Sequence, residues 1–280
     1  MMMIALLVLA GFNSCEKEDT GPFIGQAEVV SAGVSSMMES MYVFSLLHKA
    51  VHDTALAING SAAIDSSMVS VQYDSVTGIR HYTFDYGTGQ ISPDWKTRSG
   101  KITATLAEEF TVPGAVITAH FQDYRVDDSD IQGGIDYTNT GDFVSGQKMM
   151  MMSADITVSE SGQYLVSLQS NREIAWTEGF DKPENYSAHE FTFSGDSQMT
   201  YTAPSGEEIS AAGISSAITT AWEVRLKCSK LVKSGENSFD LSYNNVSEII
   251  TGTFVDSDMD NCSDKVMLKN RENFGYPFYL

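Results

Sequence analysis

Two histidines four residues apart, His48 and His52, have a spacing that chemistry can use. On a helix both imidazoles leave one face and can chelate a metal ion. No third ligand follows and there is no HExxH, so the competing reading is a pair of core histidines hydrogen-bonded to a sheet. A denser ligand set lies near the C-terminus, in Asp256-Ser-Asp258-Met-Asp260-Asn-Cys-Ser-Asp264. Carboxylates at alternate positions followed by Asn261 match the first half of a calcium loop. The twelfth position, where a bidentate Glu belongs, holds Met267, and an Asp-rich turn that serves only solubility has the same appearance. Calcium is therefore one expectation for Asp256, Asp258, Asp260 and Asp264. Asp127, Asp128 and Asp130 form a second, thinner acidic turn.

Nucleophile and phosphate motifs are incomplete. Gly213-Ile-Ser215-Ser-Ala217 approaches G-x-S-x-G, but it precedes a strand, whereas the nucleophile elbow needs strand, turn and helix. Arg98-Ser99-Gly100-Lys101 ends like a phosphate loop, with Trp95 where the first Gly belongs. A glycosidase carboxylate pair cannot be chosen from 37 acidic residues without geometry. No catalytic residue is expected.

The three cysteines divide in two ways. Met1–Ala10 is almost wholly apolar, too short to span a bilayer and of the length of a signal h-region. It leads into Phe12-Asn13-Ser14-Cys15, a relaxed lipobox. Cleavage before Cys15 and acylation of its thiol and new amine would anchor a soluble body to a membrane. The alternative is a cleaved signal with Cys15 as an ordinary thiol. Cys228 and Cys262 then remain as a pair in an oxidising compartment, either bridged or as two free buried thiols.

The net charge of −20 argues against nucleic acid or an anionic membrane surface as partner. The chain is organised as a signal peptide over 1–14, a lipidated tether over 15–25, and one β-rich domain over 26–280. Gln26–Ala57 reads as an amphipathic helix: at 100° per residue Val30, Val34, Met37, Met41, Phe44, Val51 and Ala55 share one face. His48 and His52 fall on that face, while Glu28, Ser35, Glu39 and Asp53 fall opposite. Asn59-Gly60 stops it.

From Ser67 onward the period is two. Ile102, Ala104 and Leu106 share a face, as do Ile117, Ala119 and Phe121; Tyr124 and Val126 then change parity, which predicts a bulge near Gln122–Asp123. Further runs cover Met149–Val158, Tyr164–Gln169, Glu173–Thr177, Glu190–Phe193 and Met199–Thr202. The Met149–Met152 run reads as a pliable core strand. A strand from Ile214 carries Trp222, Val224 and Leu226 inward and ends on Cys228; shorter runs continue to Leu280. The fold class is mainly β, an antiparallel meander forming a sandwich or an open curved sheet, with the helix packed on it.

Asp85–Ile102 (DYGTGQISPDWKTRSGKI), Pro113–Thr118 (PGAVIT) and Tyr124–Gly134 resemble a group of Bacteroidota lipoproteins with a DFGTG…D…RTRSGKI…PGSVIT pattern and two late cysteines. The late pair here is Cys228 and Cys262, and Gln90 stands where members often carry cysteine. The resemblance spans about Ser67 to the C-terminus and implies architecture and location, an outer-membrane lipoprotein on its periplasmic or cell-surface face; it assigns no activity. The functional expectation is a non-catalytic binding or structural module, its protein, glycan or apolar ligand unspecified. A carrier of a lipid or acyl ligand between helix and curved sheet is the second class, and a hydrolase the third.

Overall fold

The computed structural model describes residues 23–142, 146, 148–182, 184–257 and 262–280. Helix α1 (Phe23–His52) is 30 residues long, and α2 (Thr54–Asn59) follows. The first strands are β1 (Ser61–Ile64), β2 (Ser67–Tyr73), β3 (Arg80–Asp85), β4 (Gln90–Ile91) and β5 (Thr97–Leu106). Next come β6 (Val116–Val126), β7 (Ser129–Asn139), β8 (Met149–Glu160), β9 (Tyr164–Glu178) and β10 (Glu190–Thr202). The last are β11 (Ala211–Arg225), β12 (Val232–Tyr243), β13 (Val246–Val255), β14 (Lys265–Lys269) and β15 (Gly275–Tyr279).

All of these strands belong to one antiparallel sheet in which each pairs with its neighbour in sequence, apart from β4, which pairs only with β5. Of the two architectures expected, this is the curved sheet. It curls around α1, which touches β8 to β12 near its middle and β1 and β15 at its edges. The predicted bulge is present: pairing of β5 with β6 shifts register between Ser99 and Lys101, Asp123 takes φ 49°, and Tyr124 turns inward.

The helix departs from its amphipathic expectation in two ways. It ends at His52, because Asp53 leaves helical geometry (ψ 108°) to cap α2 by accepting from the Leu56 amide at 2.7 Å. Gly60 then closes α2 in the left-handed conformation, where the sequence stops the helix. Second, from Val29 to Ala50 only Ser35 escapes full burial, so most of α1 has no solvent face. Glu28 stays exposed, but Glu39 does not. A helix surrounded by sheet must satisfy its polar groups internally. The hydroxyls of Ser31, Ser36, Ser40 and Ser45 do so by donating to carbonyls three or four residues back, and Glu39 finds an arginine.

By length and apolar composition α1 could cross a bilayer; here it is the core helix of the sheet. Phe44 packs against Tyr137, Phe191 and Phe193 at ring distances of 4.7–5.3 Å. Gly33 lies so close to β10 that an added Cβ would meet the Met199 sulfur at 2.8 Å.

Candidate functional site

Two polar constellations and a cleft border the helix. The first constellation holds it in place. Arg98 on β5 is fully buried and donates to both Asp94 oxygens (2.6 and 2.8 Å) and to Glu39 at 2.9 Å. Tyr124 donates to the same Glu39 carboxylate at 2.6 Å, and the Tyr42 ring lies 3.5 Å from the guanidinium. Burial alone would push Arg98 down, but Glu39, Tyr124 and the Asp94 hydrogen bond outweigh it and hold the cation above its ordinary pKa. The Arg98–Lys101 segment is thus part of β5 and not a phosphate loop; its arginine is an internal clamp.

The second constellation closes the C-terminal end of α1. His48 and His52 meet His189, the residue before β10, and Trp176 from β9. Geometry sets the tautomers. The His189 Nε2 lies 3.0 Å from the Lys182 carbonyl, which can only accept, so Nε2 carries the proton and Nδ1 accepts. His48 Nε2 therefore donates to His189 Nδ1 across 3.0 Å, and His48 Nδ1 is left as a bare acceptor with no partner among the described residues. His52 Nε2 is likewise buried without a partner among those residues. Burial first, then the neighbouring imidazoles and Lys49, lowers His48 well below its usual value. Burial, His189 and Lys148 bring His52 down to about 4. The cluster is neutral at pH 7.

His52 also lines a cleft of about 710 Å³ between the end of α1, α2 and strands β2, β3 and β5. Its floor is apolar: Leu56, Tyr82, Leu106 and Phe110 are buried. Its lips are apolar too, yet face water, with Ile58 81 % exposed on α2 and Tyr73 64 % exposed on β2. Arg80 is the one cation among its lining residues. The volume lies within the range of small-molecule sites, roughly 300–1,000 Å³.

The other sequence-derived sites fare differently. Cys228 and Cys262 form a disulfide across 34 positions, at the end of β11 and ahead of β14. Cys15, Asp258 and Asp260 lie outside the described residues, so the anchor and half of the calcium loop have no structural account. Of the remainder, Asp264 accepts from the Ser257 amide at 3.1 Å. Among the described residues no three His, Cys, Asp or Glu side chains are placed to hold a metal ion. Ser215 is exposed and donates to Gln198 rather than facing a base. His189, Trp176 and Arg80 were not singled out by the sequence. His189 is 141 residues from its partner His48, beyond any local periodicity. Comparison with known proteins gives no match to a family model, to a curated protein or to a solved structure.

Proposed function

We propose that the chain is a non-catalytic, exported lipoprotein, tethered through Cys15 to the outer membrane on its periplasmic or cell-surface face, whose cleft binds a small ligand with an apolar body. The observation that carries the binding role is the cleft itself, with its buried apolar floor and exposed Ile58 and Tyr73 lips. Water contact at such lips is unfavourable until something covers them. The disulfide supports an oxidising compartment. Helix α1 begins at Phe23, inside the last residues assigned to the tether, and its 30 residues at 1.5 Å each carry the chain roughly 45 Å to the end where the cleft opens. The site would then face away from the anchoring membrane, toward soluble ligands.

The apolar-carrier class fits the same cleft better than the space along the helix, which the buried side chains of α1 and the aromatic cluster around Phe44 occupy. The test is titration of the full chain carrying Cys15→Ala with the polarity-sensitive probe N-phenyl-1-naphthylamine. Saturable fluorescence enhancement that Val71→Trp reduces at least fivefold is the expected result. Enhancement indifferent to Val71→Trp, or none at all, would refute binding in the cleft.

A further inference from the structure

The cleft wall contains an imbalance between donors and acceptors. Arg80 on β3 lines it, and its side chain makes no hydrogen bond among the described residues. Its one ion pair, to Glu109, is at 3.9 Å, and the Glu109 side chain is 74 % exposed. A pair so long and so wet holds the guanidinium weakly, so most of its five N–H donors face the cleft or water. The Tyr73 ring lies 5.9 Å from the guanidinium carbon and helps fix the side chain on the lip. The other carboxylate in the lining, Asp53, is already engaged by the Leu56 amide and the Tyr186 hydroxyl. A neutral, unpartnered His52 adds no fixed charge. The wall therefore has an unused planar donor fork beside an apolar floor, and only a solvated glutamate competes for it.

We infer that the ligand is a single-chain amphiphile with a carboxylate head, of the medium- or long-chain fatty-acid class, its chain over Leu56, Leu106 and Phe110 and its head on Arg80. This rests on the cleft reading above. A carboxylate matches the guanidinium fork with two parallel hydrogen bonds, whereas an alcohol matches one donor and an ammonium none. Glu109 then swings into water, at little cost for a pair that was already solvent-screened.

Dodecanoate, dodecanol and dodecylammonium, each displacing N-phenyl-1-naphthylamine from the full chain carrying Cys15→Ala, test this directly. Dodecanoate is expected to displace the probe at least tenfold more tightly than dodecanol, with dodecylammonium weakest. Arg80→Gln should bring dodecanoate to within about twofold of dodecanol, and a urea midpoint equal to that of the parent chain shows that the variant is folded. If dodecanol equals dodecanoate in the parent chain, or dodecylammonium binds more tightly, the carboxylate assignment is wrong and the apolar cleft survives. If none of the three displaces the probe, and Val71→Trp does not affect it either, both readings fall.

Discussion

The guanidinium of Arg98 on β5 meets the carboxylate of Glu39 on α1 at 2.9 Å, and neither side chain is more than 5 % exposed. The pair fixes the middle of the helix to the sheet, and Asp94 completes it from four residues before the arginine. Deleting the cation alone would leave two carboxylates buried without compensation. Arg98→Met should therefore cost about 3–5 kcal/mol, the range for breaking one side of a buried pair. Glu39→Gln keeps Asp94 on the guanidinium and removes one charge while preserving shape, so it should cost less, on the order of 1–3 kcal/mol. Urea unfolding of the two variants gives the comparison, and a smaller loss for Arg98→Met than for Glu39→Gln would contradict the clamp.

Arg172 on β9 is the contrasting case. It is 2 % exposed, lies 4.9 Å from the Trp222 ring, has no carboxylate within ion-pair distance among the described residues, and directs Nε to Ser170 and Nη2 to Ser197 and the Met37 sulfur, while Nη1 meets no acceptor among those residues. Burial brings its pKa down to about 10, which still leaves it charged at neutral pH. An unpaired buried charge detracts from stability, and Ser197 already donates to Ser170 at 2.9 Å without it. Arg172→Met, close in length and apolar, should leave the thermal midpoint unchanged or raise it by a few degrees. A fall of more than about 5 °C by calorimetry would mean that the arginine stabilises the sheet.

Those two arginines also explain what the sequence concealed. The period-two pattern placed most of the strands and the bulge at Asp123, and turn chemistry placed the stop at Gly60, because both signals are local; the pattern did not mark β1, β4 or β7. It divided β9 and β10, however, at Ser170-Asn171-Arg172 and at Ser194–Gln198. There the inward positions are polar, and the alternation of apolar residues lapses although the strands continue. Ser170, Arg172, Ser197, Ser216 and Asn237 face the helix from four adjacent strands, in a belt that includes the Met37 sulfur. Arg98 lies on the same parity as Ile102, Ala104 and Leu106, which was the available sign that it points inward and needs a buried acid. The apparent polar face of α1 failed for the complementary reason, since the sheet supplies partners to Glu39 that no helical count includes. The cleft was illegible because α2, β2, β3 and β5 meet only in three dimensions.

The histidine cluster makes stability depend on pH in a defined window. His48, His52 and His189 all have folded pKa values below the ordinary 6.5, so the unfolded chain binds more protons as the pH falls past that point. Their contribution is complete above about pH 6.5 and is lost on acidification, for His52 down to about 4. Asp94, held below the usual carboxylate range against burial by Arg98, responds only at lower pH, so the interval from 6.5 to about 4 isolates the imidazoles. For His52 the full loss across this window is on the order of 3 kcal/mol. Urea midpoints at pH 7.5 and 5.0 should fall more in the parent chain than in His52→Gln, and equal falls would exclude the imidazole as the cause.

The Cys228–Cys262 disulfide ties the end of β11 to the approach to β14, and neither strand contributes a residue to the lining of the cleft. Closing a loop of this length stabilises by roughly 3–4 kcal/mol through the unfolded chain. Replacing both cysteines with alanine should therefore lower the urea midpoint by that equivalent. Binding of the apolar probe in the cleft should change by less than about twofold under conditions where the variant is folded, because none of the cleft's walls is held by the bridge. A variant that retained its stability would show that β11 and β14 are already held by the sheet's own pairing. One that stayed folded but lost the probe would place the ligand elsewhere on the sheet.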